Sequence, residues 1–302
     1  MTARNRGNPV FLSLVLVLSA LAGGCTNVPV AEIKVFRESV TTANTAASPI
    51  LDELSANERR VKQAAEDANA GEPTFNPKLA GYFSDIGDAP GTAVIRRAHN
   101  LLDRFSDVLL GLATGSNVNS DVSGVEGLVK EASSFLTTVA AAVPAVSGPA
   151  ASLPAIFEVA KPGLTLIANE ASHREARRVI QQAQRDKVVE NLTIALVKAS
   201  PSMFNILVQD AFLASTDPAS SPEVRRAAQK TYIDRTKKVR LLMANYVVLV
   251  ERMNSAWNEA ASATEEKTTI SVTVLTDRIS ELRTAAVATR KAYVDLHTAS
   301  SK

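Results

Sequence analysis

Apolar residues recur at steps of three and four over most of this chain, the spacing of helices with one buried stripe. The clearest run is C-terminal, where Leu275, Ile279, Leu282, Ala286, Thr289, Tyr293 and Leu296 form a heptad seam. Charged residues, among them Asp277, Arg278, Glu281, Arg283, Arg290 and Lys291, occupy its outer faces. A second seam precedes it: Ala228, Tyr232, Arg235, Val239, Leu242, Tyr246, Leu249 and Met253. Ser221 is placed to cap that helix and Pro222 to fill its first turn, which predicts a helix from Pro222 to about Ala263. Neither stripe can be buried alone, so residues 222–299 are expected to form an antiparallel hairpin turning near Thr264–Thr268.

The N-terminal part repeats the pattern with Ile33, Phe36, Val40, Ala43, Ala47, Leu51 and Leu54, continued by Val61, Ala65 and Ala68. Ser48-Pro49 interrupts it, either kinking one helix or capping a second. Residues 71–91, with Pro73, Pro77 and Pro90, read as a long loop. Thr92–Ala113 is predicted as the next helix, ending before Gly115-Ser116-Asn117, and Asp121 opens another. Beyond Pro162-Gly163 a charged helix is expected to run to about Ala199, followed by a short apolar helix started by Ser200-Pro201.

The middle of the chain is unusual. Ala132 to Phe157 is a run of 26 residues without a charge, punctuated by Pro144, Gly148, Pro149 and Pro154. Within residues 132–168, two apolar arms, Ala132–Val143 and Leu153–Ile167, flank a Pro/Gly tip among long helices. That layout loosely resembles α-helical pore-forming toxins of the cytolysin A type, which would imply a hairpin that enters a bilayer. Each arm falls short of the ~20 residues a spanning helix needs. The bulk expectation is therefore two buried core helices joined by a kinked turn.

The first 25 residues carry the most specific signal. Arg4 and Arg6 precede an apolar run from Val10 to Leu21, followed by Ala22-Gly23-Gly24 and Cys25. A charged start, an apolar stretch of about 18 Å as a helix and a small-residue processing site describe an export signal better than a ~30 Å membrane span. With cysteine directly after the small residues, the segment resembles the lipobox of bacterial lipoproteins. The resemblance implies cleavage after residue 24, acylation at Cys25 and attachment of residues 25–302 to the cell envelope. Thr26 in place of Asp points, by the same resemblance, to an outer-membrane destination. Ala22 stands where that family prefers Leu.

Composition narrows the function classes. Cys25 is the only cysteine, so a processed chain has no intramolecular disulfide and no cysteine metal cluster. Removing residues 1–24 takes away Arg4 and Arg6 and leaves 31 basic and 31 acidic residues, a balance unlike that of a nucleic-acid binder. His99, His173 and His297 are far apart, outside any metal-ligand spacing, and are expected on the surface or on helix faces. Nucleophile elbows, Walker loops and dinucleotide fingerprints do not occur. Acid pairs such as Asp52/Glu53 and Glu265/Glu266 read as solvated helix positions.

These observations predict an all-α, elongated bundle of long amphipathic helices with a C-terminal hairpin. They predict an envelope lipoprotein acting as a structural or protein-interaction module, without catalysis, cofactor or metal. Its expected partners are the membrane through Cys25, and another envelope protein or a second copy through the helical seams. A membrane-active protein using residues 132–168 is the alternative, and a small-ligand binder with its pocket near residues 71–91 a weaker one.

Overall fold

The computed structural model describes residues 29–68, 76–115, 169–185, 187–265 and 272–298. Seven α-helices make up these segments, with no strand among the described residues: α1 (Val30–Ala68), α2 (Ala80–Phe83), α3 (Pro90–Thr114), α4 (Asn169–Arg185), α5 (Val188–Thr216), α6 (Pro222–Glu265) and α7 (Val272–Thr298). The expected all-α bundle is what the chain forms. Cys25, residues 132–168, the helix opened at Asp121 and most of the 264–268 turn lie outside the described residues.

The two longest described helices are α1 with 39 residues and α6 with 44, each on the order of 60 Å at 1.5 Å per residue. They lie antiparallel, as pairing of Glu53 with Arg235 and of Phe36 with Trp257 requires. α6 also packs against α5, α7 and α4, and α1 against α3, α7 and α5, so these two helices are the spine. Val239, Leu242, Tyr246, Leu249 and Met253 of the α6 seam are buried, as are Leu282, Thr289 and Leu296 of the α7 seam. The hairpin register is held from outside by Arg252–Glu281 and Arg278–Glu259, both 2.7 Å, and by Asn245 Nδ2 donating to the Ala288 carbonyl at 3.2 Å. At one end Trp257 fills the core between Phe36 and Phe105, with ring centroids 5.2 and 5.6 Å away.

Of the two proline sites, Pro49 follows the one-helix alternative and Pro201 departs from expectation. Pro49 lies inside α1, and Pro201 lies inside α5 instead of starting a new helix. At residue 201 the ring withholds the N–H that would serve the Val197 carbonyl. The neighbouring Ser200 hydroxyl donates to that carbonyl at 2.7 Å, so the helix continues. The break expected there falls earlier. Lys187, with φ 52°, adopts the left-handed conformation between α4 and α5, dividing the charged helix expected to reach Ala199.

The 71–91 segment is also more ordered than a plain loop where it is described. Pro77–Leu79 forms a 3-10 turn, α2 follows, and α3 starts at Pro90, two residues ahead of expectation. α1 supplies the bonds that hold this turn: Gln63 Nε2 donates to the Tyr82 carbonyl at 2.7 Å, and Ser55 Oγ accepts from the Ala89 amide at 2.8 Å. Arg96 of α3 pairs with both Asp52 of α1 and Asp88 of the turn. Ala89 offers α3 no side-chain cap. The cap comes instead from Glu58 of α1, whose carboxylate accepts from the Gly91 and Thr92 amides and the Thr92 hydroxyl, each at 2.8 Å. A negative group here also opposes the positive end of the helix dipole. Gly91 makes room for this approach, because a Cβ would stand 2.9 Å from Glu58 Oε1 and would shift the carboxylate from its present place.

Glu58→Ala should therefore lower unfolding free energy by about 1–2 kcal/mol, the range of a lost N-cap, and Glu58→Gln by less. Urea unfolding followed by helical circular dichroism measures both, and equal stability of all three proteins would refute the cap.

Candidate functional site

Among the described residues, side chains of different helices build two polar nodes at the core, a cleft and a groove. The first node is at mid-height. His99 of α3 lies on the buried face, not at the surface, enclosed between α1 and α6. Its Nδ1 is 2.8 Å from Asn44 Oδ1 and its Nε2 is 3.0 Å from the Tyr246 hydroxyl. Asn44 Nδ2 also donates to the His99 carbonyl at 3.3 Å. With its amide nitrogen so used, Asn44 presents oxygen to the ring, so Nδ1 carries the proton and Nε2 accepts from Tyr246. Every polar atom of the trio is satisfied without a charge. Burial, and to a lesser degree the Arg96 guanidinium, pushes the His99 imidazolium down to about 4, and burial raises the Tyr246 phenol.

The second node joins four helices. Glu53 of α1 accepts from Arg235 of α6 at 2.8 Å and from His297 of α7 at 3.0 Å, and Arg235 Nε donates to the Leu207 carbonyl of α5 at 2.8 Å. The Glu53 side chain is only 10% exposed and that of Arg235 21%, so the expectation of a solvated Asp52/Glu53 pair holds for Asp52 alone. The signal was present in the sequence. Arg235 occupies a seam position, where a cation needs an anion on a facing helix.

The cleft, of about 260 Å³, lies between α1, α3 and α5 beside Gly91. Leu54 and Met203 form its buried floor, Val94, Ile95 and Ile206 its walls, and Lys198 and Ser202 its rim. The groove, of about 550 Å³, separates α1 from α7; Thr41, Thr45 and Pro49 line one side and Val287, Arg290 and Val294 the other. Val287 is 68% exposed there.

Among the described residues no three His, Cys, Asp or Glu side chains gather as metal ligands. His99 is closed to solvent, and its ring contacts are an amide and a phenol. α5 has the length and apolarity of a membrane span, but Val188, Val189, Leu192, Leu196, Met203 and Leu207 face the core, as a core helix also would. Cys25, the one residue given a chemical role from the sequence, lies outside the described residues. Comparison with protein-family models, curated proteins and solved structures gives no match.

The His99 node makes stability depend on pH in a defined sense. The unfolded imidazole titrates near 6.5 and the folded one near 4. The unfolded chain thus binds more protons in between, and the stability present above pH 6.5 falls toward pH 4 by about 3 kcal/mol. His99→Gln should unfold with a shallower pH dependence over this window. Parallel pH profiles for the two proteins would contradict the enclosed neutral imidazole.

Proposed function

We propose that this chain is an acyl-anchored lipoprotein of the cell envelope whose helical body serves as a structural or protein-interaction module, held at the outer membrane. The observation that carries this reading is the segment Leu21-Ala22-Gly23-Gly24-Cys25 behind its charged and apolar leader. Two or three acyl chains at Cys25 give lasting attachment where one is marginal. Only four residues lie between Cys25 and Val30, the first residue of α1, so the five steps from one to the other reach at most ~17 Å. An anchored Cys25 therefore keeps the base of the bundle at the bilayer.

The role is mechanical in this reading, and no catalysis is assigned. The middle of the α6 seam, from Val239 to Met253, is buried within the chain, whereas Ala228 and Tyr232 at its start are only partly buried, and the α1/α7 groove with its exposed Val287 and Val294 is a further surface suited to a protein partner. The cleft beside Gly91 favours a second reading, a small-ligand-binding bundle, because its apolar floor is rimmed by Lys198 and Ser202 near the predicted loop.

Growth of an expressing bacterium with radiolabelled palmitate tests the anchor. Label should enter the wild-type chain and be lost in Cys25→Ala. A wild-type chain that takes up no label, or a variant that retains it, would overturn the proposal.

A further inference from the structure

The outward face of α6 is unlike that of an ordinary solvated helix. Opposite the buried Val239, Leu242, Tyr246 and Leu249, steps of three and four place Arg226, Lys230, Lys237 and Arg240 in one exposed stripe. Ile233, Leu241 and Val248 lie in the same stripe, 45%, 55% and 43% exposed. From residue 226 to residue 248 this stripe runs about 33 Å. Carboxylates stand only at its borders: Glu223, 3.8 Å from Arg226, before its start, Asp234 on the α7 flank, and Glu251 beyond its end. Two other basic residues of this half-helix are engaged elsewhere, Arg235 with Glu53 and Lys238 with the Asp295 carbonyl.

An exposed aliphatic side chain between long cations has two physical uses. A partner helix would want apolar residues at successive seam positions, but this stripe carries Arg226, Lys230, Lys237 and Arg240 among its three aliphatic residues, which makes a poor zipper. A second copy of the stripe would meet like charge. A bilayer surface has neither problem. Aliphatic tips enter the headgroup boundary, lysine and arginine stems lie along it with their charges at the phosphates, and anionic lipid supplies the opposite sign.

We propose that the 226–248 face of α6 is a docking surface for an anionic phospholipid bilayer, laying the bundle along the membrane. The small net charge of the chain, formally +2, does not oppose this, because the potential near a surface is set by charges within about a Debye length. The inference stands whether or not Cys25 is acylated. If it is, the two contacts act together, as one chain plus a basic patch does in peripheral proteins.

The test uses the chain bearing Cys25→Ser, so that no acyl group contributes, in flotation with vesicles of phosphatidylcholine alone or mixed with phosphatidylglycerol. Residues 1–24 are common to every variant and report as an equal background. The chain should favour the anionic vesicles, with binding that falls as salt rises. Lys230→Glu/Lys237→Glu should weaken that preference more than tenfold, since each cation near such a surface is worth roughly fivefold. Leu241→Asp should weaken it too. These positions are exposed, and unchanged helical content and melting temperature will show that the variants fold. Equal binding to both vesicle types, or an anionic preference that survives the charge reversals, would overturn the proposal, as would a chain that binds neither.

Discussion

Burial of one face of α6 is the constraint on which the rest of the architecture depends. A helix of 44 residues with Val239, Leu242, Tyr246, Leu249, Val250, Met253 and Trp257 on one side cannot stand alone in water. Covering it takes α5, α7, α1 and α4 together, because each covers part of its circumference or length. Small residues on the covering helices, such as Ala43, Ala47, Ala183 and Ala292, are buried and let the helices approach closely. That is how a chain with 5% aromatic residues forms a continuous core.

Two nodes give this packing its register. A wholly apolar interface between long helices tolerates sliding by a turn, whereas Asn44–His99–Tyr246 and Glu53–Arg235–His297–Leu207 close only in one alignment. A slip of one turn, about 5.4 Å, would leave a buried imidazole or guanidinium without its partner. Glu58 does the same work at the α1–α3 corner, fixing where α3 begins. The interior is therefore organised for alignment, and the features open to another molecule are at the outside: the groove, the cleft and the basic stripe of α6.

Much of this was legible in the sequence. The heptad seams located α6 and α7 to within a few residues, and Ser221-Pro222 marked the start of α6, where the Val224 amide bonds to Ser221 Oγ. What was not legible depends on partners distant in the chain. Ser200-Pro201 looks like a helix start until the Ser200 hydroxyl is seen to serve the Val197 carbonyl, and Glu58 cannot be recognised as a cap for residues 33 positions away. His99 carries no local sign that α1 and α6 enclose it. Lys187 is the reverse case, a helix break at a residue with no intrinsic preference for a left-handed conformation.

α1 and α6 form one aligned rod, with residues 222–230 far from the start of α1. Phe36 touches Trp257, so Lys34 and Glu223 should be separated by about the rise of α6 from residue 223 to residue 257, roughly 50 Å. Spin labels at Lys34→Cys and Glu223→Cys, in a chain carrying Cys25→Ser, read this directly by pulsed dipolar spectroscopy. A narrow distribution near that distance is the predicted result. A broad distribution, or one centred below about 30 Å, would contradict it, because α6 would then not be the continuous spine of the bundle.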